Sequence, residues 1–188
     1  RGFMRTICVV TATRAEYGLL RPVVQKLAAS STLQLQLVAT GAHLCPRLGE
    51  TVREIEADGV PIAARLPIFV GDENEPVAVT IARTITVFDA YFSAHRPDAV
   101  LLLGDRFEIF AAATAAAARH IPIAHISGGD VTLGAADEYY RHCITKMAAV
   151  HFPSCADSAA RLVRMGEAPE TVFCVGGLGD ENIRTLPK

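Results

Sequence analysis

A glycine-rich loop, His125-Ile-Ser-Gly-Gly-Asp130, opens directly after an apolar run, and Asp137-Glu138 and Arg141-His142 follow it closely. Within one short segment the chain thus delivers carboxylates, histidines and a cation. Upstream, Gly104-Asp105-Arg106 ends another apolar run in the same way. Carboxylates and cations at the ends of two neighbouring strands face one crevice if the strands belong to one parallel sheet. Such a set suits acid–base chemistry on an anionic substrate, with a phosphorylated one expected.

Each motif also has an ordinary reading. Asp105 could simply cap the helix after it. His125 ends its strand, and core histidines are commonly just hydrogen-bonded. Gly128-Gly129 permits close backbone approach or positive φ. Asp130 beside them could be poorly solvated, with a raised pKa. On a helix, Asp137 and Arg141, Glu138 and His142, and His142 and Lys146 lie four apart on neighbouring stripes, where ion pairs form anyway. Here that helix starts from the glycine loop, so its first turn is expected to point into the site. Thr11-Ala-Thr-Arg-Ala-Glu-Tyr-Gly18 follows the first strand, and the helix it opens can present amides to a phosphate, with Arg14 as a clamp. Alternatively Arg14 pairs with Glu16. This turn lacks the GxGxxG glycines, which disfavours a nicotinamide cofactor.

The elements that must position these residues alternate strand and helix. Apolar β-branched runs give strands at Thr6–Thr11, Leu33–Ala39, Val60–Leu66, Asp98–Leu103, Pro122–Ile126, Val150–Phe152 and Thr171–Val175. Helical spacing gives helices at Tyr17–Ala29, Thr51–Ala57, Val77–Ala94, Phe107–Arg119, a segment ending at Met147, and Asp157–Met165. The order implies an α/β fold with a doubly wound, Rossmann-like parallel sheet.

The 188 residues suffice for one domain with a good core, and 51% of them are hydrophobic. A net charge of -2 favours neither nucleic acid nor an anionic membrane, and no apolar run is expected to span a bilayer. The 5 cysteines lack CxxC spacing, so neither a metal site nor a disulfide framework is expected, and a cytoplasmic location is. Arg1-Gly-Phe-Met4 does not read as a signal peptide, and Met4 is the expected natural start.

Taken together, five segments resemble the hydrolysing UDP-N-acetylglucosamine 2-epimerases of sialic acid biosynthesis. They are Thr13-Arg14-Ala15-Glu16-Tyr17-Gly18, Gly104-Asp105-Arg106, His125-x-x-Gly128-Gly129, Asp137-Glu138-x-x-Arg141-His142-x-Ile144-Thr145-Lys146, and Val175-Gly176-x-Leu178-Gly179-x-Glu181-Asn182-Ile183. The resemblance implies a GT-B enzyme with its active site between two Rossmann-like halves. Residues 4–188 would be the N-terminal half, and the C-terminal nucleotide-binding half would lie outside this chain. It also implies a UDP-sugar substrate, no cofactor and a homo-oligomeric full-length form, with the helix from Val77 a candidate interface.

The family chemistry removes the proton at C2 while UDP leaves C1. Water then adds at C1 and a proton returns to the other face of C2. Two separately placed acid–base groups are therefore required. Carried over by motif, Asp105, Asp130, Asp137 and Glu138 are the catalytic candidates. Arg14, Arg106, His125, Ser127, Gly128, Gly129, Arg141, His142, Glu181 and Asn182 are the substrate-binding ones, Arg14 and His142 facing the leaving phosphates. One departure matters: some relatives carry glutamate where Ser127 stands, and serine is no acid or base at neutral pH. Either Asp130 takes that role, or the substrate is a related sugar such as a 2,4-diacetamido-trideoxyhexose.

Overall fold

Runs that are apolar on both sides of a strand need a sheet covered on both faces, and the computed structural model has that arrangement. It describes residues 4–70, 75–132 and 136–179. The strands are β1 (Arg5–Thr11), β2 (Leu33–Thr40), β3 (Ile62–Leu66), β4 (Ala99–Leu103), β5 (Ile123–Ile126) and β6 (Val150–Phe152). All pair in parallel, in the order β3-β2-β1-β4-β5-β6. The helices are α1 (Arg14–Ala28), α2 (Val52–Ala57), α3 (Val77–Ala94), α4 (Phe107–Ala118), α5 (Asp137–Met147) and α6 (Ala156–Arg164).

Cys8 and Val10 of β1, with Val100 and Leu102 of β4, pack under Phe88 and Phe92 of α3, Ile109 of α4 and Ile144 of α5. The intervening Val9, Leu101 and Leu103 pack on the other face, under Tyr17, Leu20 and Val24 of α1 and Ile55 of α2. In α4, Ala111, Ala112, Ala113, Ala115 and Ala116 are all buried. Their small side chains let α3 and α5 close in on either side.

Strand order reverses between β1 and β4. The chain winds outward from β1 to β3, and α3 then carries it back across to β4. Beyond the carboxyl ends of these two central strands their following loops diverge, which leaves a crevice.

Three expectations are corrected. The helix expected from Tyr17 begins at Arg14, because Thr13 caps it and accepts the Glu16 N–H at 3.3 Å. Glu16 therefore sits in the first helical turn. The strand expected at Thr171–Val175 reduces to one parallel bridge, His151 to Val172. Its backbone does follow β6, since Phe173 N–H donates to His151 O at 2.9 Å. However, β6 is only 3 residues long, and Pro153 beyond it has no N–H to donate. Finally, α3 is long and apolar enough, by length and composition, to cross a bilayer. In this fold it lies on the sheet with Phe88, Tyr91 and Phe92 buried, and Asp89 pairs with Arg119 at the end of α4 (2.6 Å). Its aromatic side chains thus belong to the core, with Ile85 packed against it, while Val77 and Val79 are exposed.

Candidate active site

A cleft of about 390 Å³ occupies the crevice. Thr13, Glu16 and Leu19 line it from α1 and its cap. Leu103 to Arg106 contribute from the end of β4, Ser127 from the end of β5, and Asp137 and Arg141 from α5. These residues are distant in sequence and meet only because their strands end side by side.

Arg141 is the hub. Its side chain is only 7% exposed, and it forms an ion pair with Asp105. It also donates to Asp130 O (2.9 Å), Glu138 Oε2 (3.2 Å) and Thr132 Oγ1 (2.7 Å). One guanidinium thereby ties the β4 end, the glycine loop and α5 together, its planar fork serving several acceptors at once. Asp105 does not cap α4, which starts after Arg106 with no side-chain cap. Burial raises the Asp105 pKa, against the opposing pull of Arg141. Arg106 holds the fully buried Glu108 at 2.9 Å.

The glycine loop is fixed from beneath. His125 is fully buried, its Nε2 lies 2.8 Å from Gly104 O and its Nδ1 3.3 Å from Thr145 Oγ1. Burial pushes its pKa down to about 4, so it is neutral at pH 7. A Cβ on Gly128 would lie 3.0 Å from His125 Nδ1, and one on Gly129 (φ +80) would collide with Ser158 O. Both glycines serve close packing of the loop. Ser127 takes the left-handed region with φ 63, a strained conformation for a residue with a Cβ and one that gathers at functional loops.

Asp105, Asp137, Arg106, Arg141 and Ser127 thus share the cleft. Others do not reach it. Asp130 turns away, accepting Ser154 Oγ–H at 2.8 Å and Ser158 Oγ–H at 2.6 Å. Glu138 accepts the Thr132 N–H at 2.8 Å and lies 3.1 Å from His142 Nε2. The amide bond holds its pKa below the usual carboxylate range, with His142 and Arg141 assisting. It thereby ties the loop to α5, with His142 on its other oxygen. Arg14 is 73% exposed and pairs with Glu54 of α2 at 2.8 Å, not with Glu16. His125, Gly128 and Gly129 support the loop from behind. Glu181 and Asn182 lie outside the described residues. Among the described residues no group of three His, Cys, Asp or Glu side chains is placed to hold a metal ion.

The chain matches the sequence pattern of the UDP-N-acetylglucosamine 2-epimerase family over residues 25–187. It belongs to that family. It is 41% identical over 181 residues to the UDP-N,N'-diacetylbacillosamine 2-epimerase (hydrolyzing) of Legionella pneumophila, covering 96% of this chain and 48% of that protein. It is 38% identical over 183 residues to the GDP/UDP-N,N'-diacetylbacillosamine 2-epimerase (hydrolyzing) of Campylobacter jejuni, covering 97% and 47%. The chain therefore spans about half the length of the curated relatives it matches. The S. aureus MnaA–UDP co-structure shares the fold at TM-score 0.83 and 23% identity, over 96% of this chain and 47% of that one. The fold is thus that of one Rossmann-like half of the family's GT-B architecture.

One cleft residue was missed as an acid–base candidate. Glu16 is 7% exposed and lines the cleft. Its Oε1 accepts the Ala12 N–H at 3.3 Å, while Oε2 is buried with no partner. Burial, then the negative charge of Glu108, push its pKa up to about 8. The signal lay in plain view, since Thr13-x-x-Glu16 reads as a capping box. That pattern gives the glutamate a structural task.

Proposed function

We propose that residues 4–188 form the N-terminal half of a hydrolysing UDP-sugar 2-epimerase, with UDP-N-acetylglucosamine as substrate and N-acetylmannosamine and UDP as products. The observation that carries this reading is the convergence of Asp105 and Asp137, from different elements, on one cleft at the switch point of the sheet. Epimerisation at C2 needs acid–base groups on a rigid frame around one carbon. Asp105 and Asp137 would face the sugar, with Arg141 positioning Asp105. A C-terminal half would supply most of the nucleotide pocket. In this reading the enzyme is cytoplasmic, feeds sialic-acid-type biosynthesis, assembles as a homo-oligomer and engages neither nucleic acid nor membrane.

A second substrate is favoured by one observation and by the resemblance. Both relatives named above carry N,N'-diacetylbacillosamine in their names, and Ser127, at the cleft, stands where the resemblance implies glutamate in some relatives. A UDP-linked 2,4-diacetamido-trideoxyhexose would undergo the same chemistry.

The test is proton NMR in D₂O of the full-length protein with each UDP-sugar. UDP release, with the epimerised free sugar deuterated at C2, supports the reading, and the faster sugar names the substrate. An epimerised sugar still linked to UDP would make the enzyme non-hydrolysing. Absence of C2 exchange with either sugar would refute the epimerase reading and leave a GT-B transferase or binding half.

A further inference from the structure

The two proton transfers of a 2-epimerisation need opposite starting states. One group must begin without a proton to remove the one on C2, and another must begin with one to return it. Among the described carboxylates near the cleft, Glu138 is held ionised and Asp130 is turned towards Ser154 and Ser158. Asp105 is ion-paired with Arg141, and Asp137, only half-buried at the start of α5, is the group left to remove the proton from C2. Glu16 differs from all of these. It lines the cleft, is almost wholly buried, and leaves Oε2 without any partner. A buried, unpaired carboxylate oxygen is unfavourable, and a protonated one is not.

The groups facing Glu16 act in the same direction. Glu108 of α4 and Asp105 at the β4 end repel a charge on it, and Arg106 offsets them only in part because it is bonded to Glu108. From its own side, the Ala12 N–H bonds Oε1 only. Ser127, which has no acid to offer, lines the same cleft.

We propose that Glu16 is the general acid of this cleft, its carboxyl delivering the proton that returns to C2. The proposal rests on the epimerase reading above. Asp137 takes the C2 proton and later sheds it to solvent, UDP departs from C1 with the C–O electron pair, and a C1=C2 double bond remains. The electron pair of that bond takes the Glu16 proton at C2, and C1 becomes an oxocarbenium centre. Water oxygen bonds to C1 and sheds a proton to solvent, and Glu16 recovers its proton from solvent. Net, one water is consumed and one UDP released.

The experiment compares wild type and Glu16→Gln as full-length proteins, following UDP and sugar by NMR in D₂O. Glu16→Gln is expected to release UDP with an unsaturated 2-acetamido sugar, while the saturated epimer forms 10²–10⁴-fold more slowly, roughly the usual worth of a general acid. A merely structural role would slow both products together. Formation of the saturated epimer at the wild-type rate would overturn the proposal. Carbon-13 titration of the Glu16 carboxyl in the wild type is a second, independent reading. A midpoint well above the ordinary glutamate range supports the proposal, and a midpoint within that range overturns it even if Glu16→Gln fails to fold. Wild type lacking C2 exchange would refute the epimerase reading and the proposal with it. Exchange in wild type with an unaffected variant would refute the proposal alone.

Discussion

Replacing Glu16 by Gln should stabilise the protein at neutral pH, and the size of the effect follows from its surroundings. The carboxyl titrates near 4.5 when unfolded and near 8 when folded, chiefly through burial. A raised pKa means that the folded state holds a proton where the unfolded state does not. The associated stability is fully present below 4.5 and is lost as pH rises through about 8. At roughly 1.36 kcal/mol per pH unit, pH 7 lies about 2.5 units into that window and costs about 3 kcal/mol. Above pH 8 the cost levels off near ~5 kcal/mol, an upper bound because water penetration relieves buried charge. Glutamine keeps an oxygen for the Ala12 N–H and never ionises.

The assay is urea unfolding of both proteins between pH 4.5 and 8.5. Only the difference in stability matters, since titrating groups not coupled to Glu16 cancel in it. That cancellation is needed because His43 and His125, both pushed down to about 4 by burial, act in the opposite sense. Their contribution is present above about 6.5 and is lost as pH falls towards 4. The difference between variant and wild type should climb by about 3 kcal/mol from pH 4.5 to pH 7 and flatten beyond 8. A difference that stays level across this range would show that Glu16 ionises normally.

Arg141→Met should destabilise by about 3 kcal/mol, read as a fall of roughly 6–12 °C in Tm, because it strands Asp105. Arg141→Lys should recover part of this, as an ammonium cannot span the same acceptors. Gly129→Ala should cost well over 2 kcal/mol or abolish folding, since both its φ and the Ser158 carbonyl oppose a Cβ. Gly104→Ala has equal φ strain but open space around it, so about 1–2 kcal/mol is expected in the same denaturation assay. Asp137→Asn should lower kcat by roughly 10²–10⁴. Asp130→Asn should leave kcat within several-fold while costing about 1–2 kcal/mol of stability through weakened bonds to Ser154 and Ser158.

Element order was readable because each strand is an apolar run and each helix a periodic one. The buried face of β4 and the alanines of α4 carry that information locally. The cleft was half readable. Asp105, Arg106 and Ser127 sit at strand ends, where backbone direction alone aims them, and Asp137 and Arg141 follow from the helix phase. Asp130 was not readable in this way. Its direction is set by Ser154 and Ser158, hydroxyls 24 and 28 residues further on. Arg14 likewise left the site because Glu54, on a different helix, is a better partner. Glu16 entered the sequence reading only as a partner for Arg14, and its burial and its bond to the Ala12 N–H come from the fold.

The charges in the cleft lead to a last prediction, on the 188-residue chain alone. Glu16, Asp105 and Asp137 line it against Arg106 and Arg141, and both arginines are already engaged, by Glu108 and Asp105. Arg14 and His142, expected to meet the phosphates, face elsewhere. A diphosphate brought here would meet acids, with α1's amino-terminal amides as its main attraction. The acids suit a sugar carbon, whereas the diphosphate must be neutralised mainly from outside these residues. The chain alone is therefore expected to bind UDP only weakly, at millimolar levels in a calorimetric titration, and to release no UDP from a UDP-sugar. Full-length protein should bind far more tightly and turn over. Measurable turnover by the 188-residue chain alone would show that its own cations suffice, and would refute this division of charge.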